Sequence, residues 1–338
     1  MILAAGKGER MSPLTDVIPK PLISCVGVTL IDRLVSVLRT EGIENFTIGV
    51  GWKGTEMERH FDNHPERNRI DIVHVPEYDR GPLQTLLTAL DGVHDEQFII
   101  CPADLFVEEG IVSLTMSEHV TDNPPRTASL AVGKSSRIGT PVYVNDAGLV
   151  AGLGRAVQDC PESGRSAMIL AVNRRFISYC REALDAGERR VVDALNLAIS
   201  KEEAIRQVDV TRRWFDVDDI ESLLEVNEYL LRFSTPEIVG SVFVPAGDTM
   251  DIGETIILPS DIILESGVQI IGPSFIAPGC KVGSHSVIGP VVSFEMKAMV
   301  ESSSNVRESL LLGGAQVGTG ANLTGSVVHG SDVFQKGK

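Results

Sequence analysis

Residues 4–22 gather groups suited to crowded anions: Ala4-Ala5-Gly6-Lys7-Gly8-Glu9-Arg10-Met11-Ser12-Pro13-Leu14-Thr15, then Pro19-Lys20-Pro21-Leu22. Gly6 and Gly8 can take backbone angles closed to other residues, which lets amide N–H groups approach phosphate oxygens. Arg10 adds a planar fork, and Lys20 adds a point charge in a segment stiffened by a proline on each side. The ligand this implies is a polyphosphate. A dinucleotide fingerprint is excluded, because its third glycine falls on Met11, and no Gly-x-x-x-x-Gly-Lys-Ser/Thr loop occurs.

The whole string resembles the signature of the sugar-1-phosphate nucleotidyltransferases, Ala-Ala-Gly-x-Gly-x-Arg-Met/Leu-x-Pro-x-Thr followed by Pro-Lys-Pro-Leu, at every fixed position. That resemblance implies transfer of a nucleoside monophosphate from an NTP to a sugar 1-phosphate, with pyrophosphate released. Such a reaction brings its nucleophile ready made, so the protein must neutralise and align phosphates with cations and a metal. By the resemblance, Ala4, Ala5, Gly6, Gly8, Arg10 and Gly81 contact the NTP, and Lys20 contacts the sugar phosphate. Magnesium is the expected cofactor, held by few carboxylates. Asp104, which follows the apolar run Phe98–Cys101, and Asp216, in Trp214-Phe215-Asp216-Val217-Asp218, match the family's two ligand positions. The catalytic set is therefore Arg10, Lys20, Asp104 and Asp216. For Asp218 and Asp219, capping of the helix that follows is the plainer use.

Two departures from the family pattern fall on the acceptor side. The usual Glu-Lys-Pro element is replaced in the stretch 149–157 by Leu-Val-Ala-Gly-Leu-Gly-Arg-Ala-Val, where Arg155 is the available cation. The Gly-x-Tyr element is replaced by Ala171-Val172-Asn173, making Asn173 a candidate substrate contact. In the nucleobase loop, Arg80-Gly81-Pro82-Leu83-Gln84 stands where relatives read Leu-Gly-Thr-Ala-Gly, and Gln84 is either a base-reading group or an exposed helical residue.

The elements that must position these residues alternate. Phe46–Val50, Ile70–Val73, Phe98–Cys101 and Met168–Val172 read as strands, and Leu30–Leu38, Leu83–Leu90 and Ile220–Leu231 as amphipathic helices. This predicts an α/β, Rossmann-like, mostly parallel sheet over 1–233, with ligands beyond the strands' carboxyl ends. After Ser234-Thr235-Pro236 the period becomes six. Ile252, Leu258, Leu264, Ile270, Ile276, Val282, Ile288, Phe294, Val300, Val306 and Leu312 recur at that spacing, then Val317, Leu323 and His329 after a one-residue slip. Stacked hexads predict a parallel β-helix over 240–338, and the family resemblance implies the left-handed hexapeptide form.

Composition bounds the rest. A chain of 338 residues with 43% hydrophobic and 22% charged residues fits two soluble domains. No apolar run suits a membrane helix, and the net charge of −16 argues against nucleic acid as a partner. Met1–Ala5 reads as a strand and not a leader, and five scattered cysteines read as reduced thiols, so a cytoplasmic setting is expected. The β-helix is expected to build a homo-oligomer. Two alternatives remain: a bifunctional nucleotidyltransferase/acyltransferase using His285 or His329, and a silent nucleotide-sensing subunit.

Overall fold

The computed structural model describes residues 1–121, 126–134, 139–234 and 238–335, so Thr235 and Pro236 lie outside the described residues. In chain order its elements are β1 (Ile2–Ala4), α1 (Leu14–Val17), β2 (Ser24–Cys25), β3 (Val28–Thr29), α2 (Leu30–Thr40), β4 (Phe46–Val50), α3 (Gly54–Phe61), β5 (Ile70–His74), α4 (Pro82–Ala89), β6 (Gln97–Pro102) and β7 (Leu105–Val107). There follow α5 (Ile111–Val120), β8 (Ala128–Gly133), β9 (Thr140–Val144), β10 (Val150–Leu153), β11 (Glu162–Asn173), α6 (Phe176–Asp185), α7 (Val191–Ser200), β12 (Ile205–Val210), β13 (Trp214–Asp216) and α8 (Ile220–Phe233). Short strands continue to Gln335.

The chain divides into two compact units, Met1–Lys7 with Ile31–Asp216, and Gly8–Leu30 with Val217–Lys338. The first holds a sheet ordered β10-β9-β11-β6-β1-β4-β5, with β8 on β11 and β12 on β8. Its centre is parallel: β1 lies between β4 and β6, and β5 continues beyond β4. β1 and the middle of β6 are apolar, as strands covered on both faces must be, whereas β5 at the edge carries the exposed Asp71 and His74. Ile31, Leu34, Val35 and Leu38 of α2 are all buried, as their spacing predicts. The long β11 runs antiparallel to β6, with Leu170 opposite Ile100 and Asn173 opposite Gln97. Its N-terminal half continues past the end of β6 and carries β9 on its edge, with β10 beyond.

In the second unit the hexads form a left-handed β-helix of three sheets. Phe294 stacks under Ile276, eighteen residues on, and Leu311 under Phe294, seventeen on. The slip therefore falls one hexad earlier than the sequence suggests, between Val306 and Leu311, and a second separates Leu323 from Val328, so that Leu311 and Val328 take the inward slots expected for Leu312 and His329. The first coil also differs from expectation. Val242–Val244, Thr249–Asp251 and Ile256–Leu258 each pair antiparallel with the coil above, and the hairpin Ser326–His329 with Asp332–Gln335 covers the far end. An inward apolar ladder looks the same for either strand direction, so the hexads alone do not reveal this. Corners turn on single residues with positive φ, in columns such as Gly267, His285, Ser303 and Gly320, or Asp261, Gly279, Lys297 and Gly314. Helix α8 lies along the β-helix against Val292–Phe294, Ser309–Leu311 and Ser326–His329.

Candidate active site

Within the first unit, strand pairing brings two carboxylates together. Leu3 of β1 faces Pro102 of β6, and the Ala103 amide donates to the Leu3 carbonyl at 3.0 Å. Asp104 thus leaves the sheet beside Ala5 and the start of the glycine turn. The chain continues at once into β7, which pairs antiparallel with β13 so that Asp216 lies opposite Leu105. Carboxylate oxygens of Asp104 and Asp216 then lie within 4.8 Å of each other, both half-buried. Oxygens sharing one octahedral magnesium sit about 3–4 Å apart, so the pair fits a hard divalent cation after a small adjustment.

The loop at this end is built on close backbone approach. The Trp52 amide donates to the Ala5 carbonyl at 3.0 Å, and the Lys7 ammonium sits 5.1 Å from the centre of the Trp52 ring. Ala4 and Ala5 are buried. A Cβ on Gly51 would fall 2.5 Å from Tyr78 and 2.8 Å from the Ala5 carbonyl oxygen, so the turn closes only around glycine. Gly81 opens α4 with φ of 99°, and a Cβ there would meet the Arg189 carbonyl oxygen at 2.9 Å. Gln84 is not an exposed helical residue: it is half-buried, and its amide nitrogen donates to the Thr88 hydroxyl at 3.0 Å.

Within the second unit, the remaining motif residues converge on Asp218. Gly8 has φ of 70°, with Thr15 so close that a Cβ would lie 3.1 Å from its methyl group. The buried Thr15 hydroxyl donates to the Gly8 carbonyl at 2.8 Å, which explains the threonine of the motif. Lys20 is buried, with its ammonium 3.0 Å from Asp218 Oδ1. Arg10 is exposed and reaches Asp218 Oδ2 at 2.8 Å. This corrects the expectation that Asp218 caps α8. Asp219 is the cap, accepting from the Ser222 amide at 2.8 Å. Burial opposes its ionisation, but the Ser222 amide and hydroxyl and the Arg10 charge hold its carboxyl below the usual range.

On the acceptor side the two candidates separate. Arg155 follows β10, whose Leu153 pairs with Val142 of β9, and β9 pairs with the half of β11 that extends past β6. Arg155 therefore lies toward the Asp104 end. It lines a cavity of about 330 Å³ with Arg190, Asp193 and Asn196. Asn173 lies at the other end of β6, where its amide donates to the Arg126 carbonyl at 2.8 Å and its side-chain oxygen accepts from the Arg175 amide. It is structural, and the acceptor assignment is corrected accordingly. Arg190 escaped sequence reasoning because its only local signal, an Arg-x-x-Asp before an apolar run, reads as a helix start. A larger cavity, about 610 Å³, opens among the N-terminal strand ends at Met1, Phe46 and Gln97, away from Asp104.

None of the five cysteines forms a disulfide, and no helix among the described residues is long and apolar enough to cross a membrane.

Comparison with known proteins finds relatives among nucleotidyltransferases. The chain is 27% identical over 273 residues to the bifunctional protein GlmU of Methanocaldococcus jannaschii, covering 79% of this chain and 60% of that one. It is 25% identical over 329 residues to a glucose-1-phosphate thymidylyltransferase of Streptomyces griseus, covering 94% and 88%. The inositol-1-phosphate CTP transferase structure from T. maritima shares the fold at a TM-score of 0.56 and 17% identity, over 64% of this chain and 88% of that one. The chain thus spans 60% of the GlmU relative. The MobA-like NTP transferase domain matches residues 1–197, more than half of the chain, and the chain belongs to that family.

Proposed function

We propose that the protein is a magnesium-dependent sugar-1-phosphate nucleotidyltransferase. The observation that carries this is the half-buried Asp104–Asp216 pair at the carboxyl end of β6, reached by the same strand ends that present the glycine turn. The acceptor phosphate oxygen attacks the α-phosphorus of the NTP, the bond to the β-phosphate bridging oxygen breaks, and pyrophosphate leaves with that electron pair. Asp104 and Asp216 would hold the magnesium, which when bound would supply charge neutralisation of the phosphates.

In this reading the backbone of Ala4, Ala5, Gly6 and Gly8 lies against the triphosphate, and Gly81 opens the loop beside the base. Arg10, being exposed, exchanges Asp218 for phosphate oxygens at little cost, since such surface pairs are worth about 0–1 kcal/mol. Lys20 supplies a fixed charge. Arg155, with Arg190 on the same cavity, takes the acceptor phosphate in place of the missing lysine. The catalytic module is read as 1–233 and the β-helix as 240–338, with oligomers built through the latter and the whole acting in the cytoplasm.

The test is pyrophosphate release with each of the four common nucleoside triphosphates against a panel of sugar 1-phosphates, with and without magnesium. A magnesium-dependent signal for one pair is expected. Binding of nucleotide without turnover for any pair would favour the sensor reading instead. Arg155→Ala should raise the KM for the acceptor about tenfold or more and leave the KM for the nucleotide unchanged, as loss of one charged phosphate contact predicts. Equal acceptor saturation in both proteins would remove Arg155 from the site.

A further inference from the structure

Among the described residues of the β-helix, one buried side chain is charged. In the register that stacks Ile276, Phe294 and Leu311, the next positions are Ala277, Glu295 and Leu312, all buried. The column calls for an apolar side chain, and Glu295 is 2% exposed. A carboxylate is almost never so buried without a partner. Both of its oxygens accept from the Gly27 amide, each at 3.1 Å.

Gly27 sits at the tip of the β2–β3 hairpin. Val26 and Gly27 both have positive φ, 53° and 78°, as a two-residue turn of the primed type requires. A Cβ on Gly27 would lie 2.9 Å from Ile238 and 3.0 Å from Phe275, so the tip is seated directly on the β-helix. From there a short hydrogen-bonded path leads back to Lys20. The Leu30 amide donates to the Ile23 carbonyl at 3.1 Å, and the Ile23 amide to the Lys20 carbonyl at 3.1 Å. On the same side, the buried Cys25 thiol donates to Asn227 of α8 at 3.5 Å, and α8 begins just after Asp218, the partner of Lys20.

We propose that Glu295 is a positioning residue: by gripping the hairpin tip, the β-helix sets the place of Lys20 and thereby the affinity for polyphosphate. This rests on the reading of Lys20 as a phosphate-binding residue. Ala277 and Leu312 fill the same column in the neighbouring coils, so an apolar residue fits the slot by shape, and the acid adds its bond to the hairpin tip.

The full-length protein is titrated with magnesium tripolyphosphate in a calorimeter, which needs no knowledge of base or sugar, and its melting temperature is followed in parallel. Glu295→Leu, which suits the column but takes this acceptor from the Gly27 amide, is expected to stay folded at the titration temperature with a melting temperature a few degrees lower, yet weaken binding about tenfold or more, as loss of a charge-assisted hydrogen bond predicts. Glu295→Gln keeps an acceptor oxygen and should recover most of the affinity. Gly27→Ala, which forces the tip off its seat from the other side, should weaken binding as Glu295→Leu does. If Lys20→Ala abolishes binding while Glu295→Leu and Gly27→Ala bind like the parent, the positioning role is overturned and the reading of Lys20 stands. If Lys20→Ala binds like the parent, the reading of Lys20 fails and the proposal with it. Should Glu295→Leu fail to fold, Gly27→Ala and Glu295→Gln decide by the same criterion.

Discussion

Arg10 and Lys20 meet one carboxylate from opposite environments, the arginine side chain 72% exposed and the lysine 7%. Asp218→Asn therefore removes a weak surface pair and a strong inner one together. Breaking a fully buried pair costs about 3–5 kcal/mol, and with Asp218 partly solvated we expect nearer 1–2 kcal/mol, a fall of a few degrees in melting temperature. An unchanged melting temperature would show that Asp218 is only a surface charge. Asp104→Asn and Asp216→Asn belong to a different class. Each should lower pyrophosphate release about a hundred- to a thousandfold, roughly 3–4 kcal/mol, while folding is retained. Near-normal rates at matched magnesium would end the metal assignment. The glycines, Arg10, Lys20 and the two aspartates stood out in the sequence through the signature that resembles the family's, and the structure brings the carboxylates of Asp104 and Asp216 together. The choice between Asp218 and Asp219 was not, since either suits a helix start and only the backbone path decides. Arg190 was illegible as a neighbour of Arg155, because β10 and α7 come together only through packing.

At the scale of elements, β8 and α6 are tied through Glu203, which accepts from Thr127 and Tyr179 and pairs with Arg175. Burial opposes its ionisation, yet these hydrogen bonds and the arginine charge hold its carboxyl below the ordinary range. A depressed carboxyl adds stability that is complete above its unfolded pKa of about 4.3 and is lost as pH falls through the folded value. The Tyr179 hydroxyl is shifted upward, chiefly by its bond to Glu203. Its share is present below about 10 and is lost as pH rises. Glu203→Gln should flatten the acid limb of melting temperature against pH between about 5 and 3. An acid limb identical to the parent's would place the acid sensitivity elsewhere. The strands and helices themselves were legible from period, as were the hexads. The antiparallel first coil and the corners were not: His285 and Lys297 adopt a conformation usually left to glycine because the coil above and below fixes them there.

For the whole molecule, the β-helix leaves Ile257, Met296 and Met299 exposed, at 72%, 57% and 39%. Ile257 and Met299 lie on one sheet of the β-helix, a face that a second copy of the chain can cover. We expect a homo-oligomer in sedimentation at micromolar concentration, and a shift toward monomer in the double variant Ile257→Glu, Met299→Glu with melting little changed. A parent that sediments as a monomer would refute this. The domain plan legible in the sequence is linear, whereas the compact units are interleaved, with Gly8–Leu30 packed among residues that follow Val217. Nothing in local pattern signals such an exchange.

The grip of Glu295 on Gly27 also has a consequence for synthesis, because the two residues are 268 positions apart. At roughly 5–20 residues per second, the hairpin leaves the ribosome about 15–50 seconds before its seat exists. Throughout that interval the sheet of the first unit can form while the segment bearing Arg10 and Lys20 waits. If Glu295 positions Lys20 as proposed, a chain that stops short of the β-helix carries the full signature motif without that support. On the positioning role proposed for Glu295, polyphosphate binding would await the arrival of the β-helix, because one amide and one carboxylate from distant parts of the chain make the contact.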